Sequence, residues 1–177
     1  MDYKSRFLKA IKYSESLGLK TEKDFIFDEL MSDEARNNIA WAAVAFLRRL
    51  GLSDSYSLAE MCFPVHFELR RYLKIRHNID THLTIGDRRF RDSVYCEMSE
   101  DSIKRELKMP GNGGLSAHAW LTLSDGSILD CTGEAHLDLD ENRGNFPVEE
   151  CIYLFGPYIE PDLDTGYHRP LLVGTDF

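Results

Sequence analysis

The chain begins with positions that recur at helical spacing. Tyr3, Phe7, Leu8, Ile11 and Ser14 fall near a 3.6-residue period, and Gly18 ends the run where a left-handed residue is favoured. Thr21 followed by Asp24 is a capping signal for a short helix through Phe25, Ile26 and Leu30. Ser32 and Asp33 open a further helix whose apolar face carries Ile39, Ala43, Phe46, Leu47 and Leu50, closed by Gly51. Arg48 and Arg49 in its last turn suit the negative end of a helix. After the polar break Ser53 to Ser57, Val65, Leu69, Tyr72 and Leu73 mark another helical face within Ser57 to Arg76. Proline is tolerated in the first turn of a helix and costs roughly 3 kcal/mol in its interior, so Pro64 puts the start of this helix within a residue or two of Cys62.

The period then changes to two. Thr81 to Gly86 reads as a strand, Asp87 to Arg91 as a charged turn, and Met98 to Met109 as a short helix starting at Ser99 or Asp101. Pro110 to Gly114 is a loop by composition. Ala117 to Leu123 and Ser127 to Thr132 are strands around Asp125-Gly126, Cys151 to Phe155 is a last strand, and the tail rich in Gly, Pro and Asp runs over the surface. Helices followed by an antiparallel sheet predict one α+β domain over residues 1–177: an N-terminal helical region at residues 1–56, a core at 57–132, and a last strand with an irregular tail at 133–177.

Composition narrows the possibilities. With 21 basic and 30 acidic residues the net charge is −9, which argues against a nucleic-acid partner, since phosphates are held by clustered Lys and Arg. No apolar run reaches the ~20 residues of a membrane span or forms a signal-peptide core, so the expectation is a cytoplasmic protein without membrane contact. Cys62, Cys96, Cys131 and Cys151 follow no CxxC spacing and are expected as free thiols. No cofactor motif is present, and oligomeric state is left open.

One cysteine differs from the rest. Cys62 alone falls at a helix start, where peptide dipoles and unpaired N–H groups favour a thiolate. A histidine can shuttle the thiol proton and a carboxylate can fix the histidine tautomer; His118 and Asp130 are the candidates. The hairpin tests this pairing. A two-residue turn at Asp125-Gly126 would put His118 and Asp130 on opposite faces of the sheet. A three-residue loop, Ser124 to Gly126 with Gly126 left-handed, sets Leu121 opposite Leu129 and Trp120 opposite Asp130, with His118 a diagonal neighbour. The second register also collects Ala119, Leu121, Leu123, Leu129 and Cys131 on one face, and packing therefore favours it.

Cys62 on a helix running to Arg76, the strand His82-Leu-Thr-Ile-Gly86, and His118-Ala-Trp120 with Leu129-Asp-Cys-Thr132 together resemble the transglutaminase-like branch of the papain-like cysteine enzymes. Within that branch the order is similar to the peptidases that remove leader peptides in lasso-peptide maturation. The resemblance covers Ser57 to Thr132, less than half of the chain. It implies a transglutaminase-like core with Cys62 as nucleophile, His118 as general base and acid, and Asp130 as orienting carboxylate. The surroundings depart from the family: Met61 precedes the cysteine, Phe63-Pro64 follows it, and Pro64 has no N–H. The second oxyanion donor is therefore open among Ser55, Tyr56, Ser57 and the backbone of Cys62 or Phe63.

The expected function is a cysteine-dependent hydrolase or acyl transferase acting on peptide or protein amides through a thioester, with Trp120 and Tyr56 as candidate substrate contacts. Its alternative is a non-catalytic inhibitor or adaptor whose acidic face binds a basic partner. A metal site drawn from His118, Cys131, His136, Asp138 and Asp140 competes less well: no spacing matches a ligand pattern, and His136 to Asp140 reads as a polar loop. His66 and His77 read as solvent-facing or structural.

Overall fold

The computed structural model describes residues 2–21, 25–108, 116–157 and 166–175. Among them are seven helices and six strands, β1 (Thr81–Phe90), β2 (Ser93–Tyr95), β3 (His118–Leu123), β4 (Ile128–Asp130), β5 (Tyr153–Phe155) and β6 (Tyr167–Val173), with sheet order β2-β1-β3-β4-β5 and β6 paired to β1. The pairings β1 with β2, β1 with β6, β3 with β4 and β4 with β5 are all antiparallel, in keeping with the α+β expectation. Among the described residues no helix is long and apolar enough to cross a membrane. The chain forms two compact units, 1–24 with 84–119 and 158–177, and 25–83 with 120–157.

In the first unit, α1 (Tyr3–Ser16) buries Tyr3, Phe7, Ala10, Ile11 and Ser14 against β6 (Tyr167–Val173). Asp2 caps it by accepting the Ser5 N–H at 2.7 Å, and Gly18 ends it at φ +81°. Ser14 can sit in this apolar face because its hydroxyl accepts the Val173 N–H at 2.9 Å. β6 overturns the expectation that the tail runs over the surface.

β1 (Thr81–Phe90) continues through the expected charged turn, and Asp87 and Arg88 are buried in it. Asp87 lies opposite Arg169 of β6, which grips both of its carboxylate oxygens; Asp87 also accepts the Met98 N–H at 3.3 Å. A charge can enter the strand because a partner waits across the ladder. The reversal falls later, with Arg91 at φ +50° before β2 (Ser93–Tyr95). α5 (Glu100–Lys108) follows, Ser99 and Ser102 exchanging side-chain and backbone hydrogen bonds at 3.0 and 3.1 Å.

In the second unit, α2 (Asp33–Arg49) starts at the Ser32 cap, which accepts the Ala35 N–H, and ends before Gly51 at φ +80°. Its buried face is Ile39, Ala43, Val44 and Leu47, while Leu50 is exposed. Among the described residues the short helix expected before it is absent. Phe25 to Leu30 is non-helical, with the Asp28 N–H on the Ser124 carbonyl at 2.9 Å and the Phe25 ring edge-on to His82 at 4.5 Å. The expected polar break forms α3 (Ser55–Leu58), capped reciprocally by Asp54 and Ser57. α4 (Cys62–His77) starts at Cys62 and packs on α2.

β3 (His118–Leu123) and β4 (Ile128–Asp130) form the hairpin with Leu121 opposite Leu129 and Thr122 opposite Ile128. This is the three-residue-loop register, with Gly126 at φ +89°. Buried Asp125 pins the loop, accepting the Ser127 N–H at 2.8 Å and, from outside the hairpin, the Met31 N–H at 3.2 Å. His136 to Asp140, expected as loop, belongs to α6 (Gly133–Asp140). α7 (Val148–Cys151) takes up the beginning of the expected last strand, leaving β5 (Tyr153–Phe155) on β4. The expected loop Pro110 to Gly114 lies outside the described residues.

Candidate functional site

Cys62 is the first residue of α4, with only 6% of its surface exposed. Pro64 is the third residue of the helix, where its missing N–H breaks no intrahelical bond. Among the described residues no side chain caps this terminus. One turn on, the buried His66 ring is held between two backbone groups. Its Nδ1 lies 2.8 Å from the Cys62 carbonyl, and its Nε2 accepts the Cys131 N–H at 2.9 Å. Nε2 acts as acceptor, so Nδ1 carries the hydrogen and donates to the carbonyl, and the ring is neutral in this arrangement. His66 thus ties the first turn of α4 to the end of β4, the structural one of the two roles expected for it, structural or solvent-facing; His77 is exposed.

Asp130 is fully buried at the end of β4. Its Oδ1 accepts the N–H groups of Thr132 and Gly133, each at 3.0 Å, at the start of α6, and stands 3.7 Å from His66 Nε2. A helix N-terminus favours the ionised carboxylate. In the hairpin register, Thr122 and Asp130 share a face. His118 occupies the same alternate position along β3 as Trp120 and Thr122. Cys62 and Asp130 belong to one unit, and His118 to the other.

Within its own unit His118 is fully buried, its ring centroid 5.1 Å from Tyr95 and 6.0 Å from His168. Arg88 stands directly between Tyr95 and His168 in the ladder, opposite one on β2 and the other on β6. Opposed residues project from the same face of a sheet, so the three form a row. Sequence reasoning missed it: Arg88 sits in a charged run and His168 in what reads as a surface tail.

Trp120 is fully enclosed, so its ring fills the interior, whereas Tyr56 is exposed on α3. Three of the suggested oxyanion donors are engaged in holding α3. The Ser55 hydroxyl donates to Asp138 at 2.6 Å and its N–H goes to the Phe146 carbonyl, while the Ser57 N–H goes to Asp54. The Tyr56 N–H is taken by the Asn145 side chain at 3.2 Å. Asp138, a residue of the competing metal set, is paired with Arg143 at 2.7 Å.

None of the four cysteines is in a disulfide. Burial pushes the Cys131 thiol well up, and the charge of neighbouring Asp130 adds to it. Burial also raises Cys151, against the opposing hydrogen bond from Ser55. Both are held as thiols, the unreactive form. Cys96, half-buried, is more accessible than Cys62. Comparison of the chain with family models, curated proteins and solved structures finds no match.

Proposed function

We propose that the protein is a cysteine-dependent hydrolase or acyl transferase of peptide or protein amides. The reading rests on one observation above others, the pairing of Leu121 with Leu129, because the alternative register would set Asp130 on the wrong face for any partnership with His118. The start of α4 at Cys62 supports it further. In the proposed reaction His118 takes the Cys62 proton as Sγ attacks the amide carbonyl, forming a tetrahedral oxyanion. As the C–N bond breaks, the His118 proton goes to the leaving amine and a thioester remains. Water or a second amine, deprotonated by His118, attacks the thioester, and its collapse returns the thiolate. Asp130 holds the His118 tautomer and offsets the imidazolium charge.

The test is the order of alkylation by iodoacetamide at neutral pH, read by peptide mapping. Accessibility alone predicts Cys96 first, then Cys62, with Cys131 and Cys151 last. An activated nucleophile reverses the first two, and His118→Ala then slows Cys62 alone. Labelling led by Cys96 and indifferent to His118→Ala would overturn the reading and leave the non-catalytic acidic partner protein in its place.

A further inference from the structure

We infer that the exposed face of α4 is the docking surface for the substrate, and that the segment docked there is an acidic peptide carrying apolar side chains. The inference deepens the functional proposal, because it assigns a substrate class to the helix that carries Cys62. It runs against the overall charge, from which a basic partner would be expected.

Three observations carry it. Although the chain has net charge −9, four of its 21 Lys and Arg residues, Arg70, Arg71, Lys74 and Arg76, fall within seven positions at the C-terminal half of α4. Arg70, Arg71 and Lys74 line a cavity of about 200 Å³ together with Ile75, Asp80 and Thr81. Toward the Cys62 end of the same helix, Phe63 and Phe67 are one turn apart and exposed, 37% and 42%, as is Ile75 at 74%. At 100° per residue Phe63, Phe67, Arg70 and Lys74 fall on one side of the helix, away from buried Val65, Leu69 and Leu73. An aromatic patch thus leads into a cationic cavity along one helix.

The cations can accept a new partner. Arg70 is anchored by Nε, which donates to the Thr81 carbonyl at 2.9 Å, and makes no other hydrogen bond or ion pair among the described residues. Its two terminal nitrogens suit a carboxylate bidentately. Lys74 pairs with Asp80 at 2.7 Å and Arg71 with Glu68 at 3.2 Å, but these pairs are solvent-exposed, and exposed pairs are weak. A ligand carboxylate can replace them. The positive patch is local on an acidic molecule, so a long polyanion would meet repulsion beyond it. A short acidic peptide fits; a nucleic acid fits less well.

Fluorescence anisotropy tests this with the full-length Cys62→Ser protein and three fluorescein-labelled probes. These are a peptide of two phenylalanines and four glutamates, its counterpart with four lysines, and an oligothymidylate of matched charge. The glutamate peptide is expected to bind at low salt at least about tenfold more tightly than either other probe, and to weaken as salt rises. R70E/R71E/K74E should reverse the preference toward the lysine peptide, a gain that misfolding cannot imitate. F63A/F67A should weaken both peptides in their respective proteins. Equal binding of both peptides, tighter binding of the oligonucleotide, or indifference to the charge reversal would each overturn the inference. Binding does not use the thiol, so failure here leaves the alkylation order of Cys62 intact, and failure of that order leaves peptide docking intact.

Discussion

His66 shows how a residue can be read correctly in role and missed in consequence. Its place one turn after Cys62 marked it as structural or solvent-facing, but its partner, the Cys131 N–H, lies 65 residues away and leaves no local trace. His66→Phe would fill the volume and leave that buried N–H without an acceptor. The expected loss is about 1 to 3 kcal/mol in urea unfolding, and an unchanged midpoint would contradict the assigned bond. Cys131 and Cys151 give a pH dependence. Their thiols are raised in the folded state, so the folded protein holds protons that the unfolded chain releases. That contribution is present below the unfolded thiol pKa of about 8.5 and is lost as pH rises above it. Urea midpoints should fall between neutral pH and about pH 9.5 in the wild type, and fall less in C131A/C151A.

At the scale of elements, legibility followed how local the cause was. Ser32, Gly51 and Pro64 act within a turn of themselves, and α2 and α4 have the boundaries they imply. The hairpin register was legible because only one alignment gathers Leu121, Leu123 and Leu129 on one face. α3 and α6 were not, since the Ser55 hydroxyl on Asp138 joins them across 83 residues and neither is apolar enough to announce itself. β1 failed for the same reason at Asp87, whose partner Arg169 is 82 residues on. Of the candidate site, the helix start at Cys62 and the face of Asp130 were legible, while the row Tyr95, Arg88 and His168 depends on two ladders that alternation alone does not align. Two substitutions probe these elements. Gly126→Ala forces a side chain into φ +89° and should cost about 1 to 2 kcal/mol, read as a lower urea midpoint. Asp87→Ala strands the Arg169 charge and should cost roughly 3 kcal/mol, some of which D87A/R169L recovers.

At the scale of the whole chain, each unit is assembled from separated segments. Truncation after Pro157 removes β6, against which α1 packs and with which β1 pairs. Amide exchange in α1 and β1 should then become fast, and retained protection would show that these elements do not depend on the C-terminal strand. α4 also has a metric consequence for whatever the protein acts on. Cys62 and Lys74 are 12 residues apart on one uninterrupted helix, about 18 Å at 1.5 Å per residue. An extended peptide covers that axial rise in about five to six residues, and more are needed to pass from the exposed face at Lys74 round to the buried face that holds Cys62. On the proposed reading, with Cys62 as nucleophile and acidic side chains docked at Lys74, the helix would work as a ruler, and the bond presented to Cys62 would be set by its distance from the acidic cluster more than by the residues flanking it. If the protein is the amide hydrolase proposed, sliding the glutamates along a substrate should move the cleavage point in step with them.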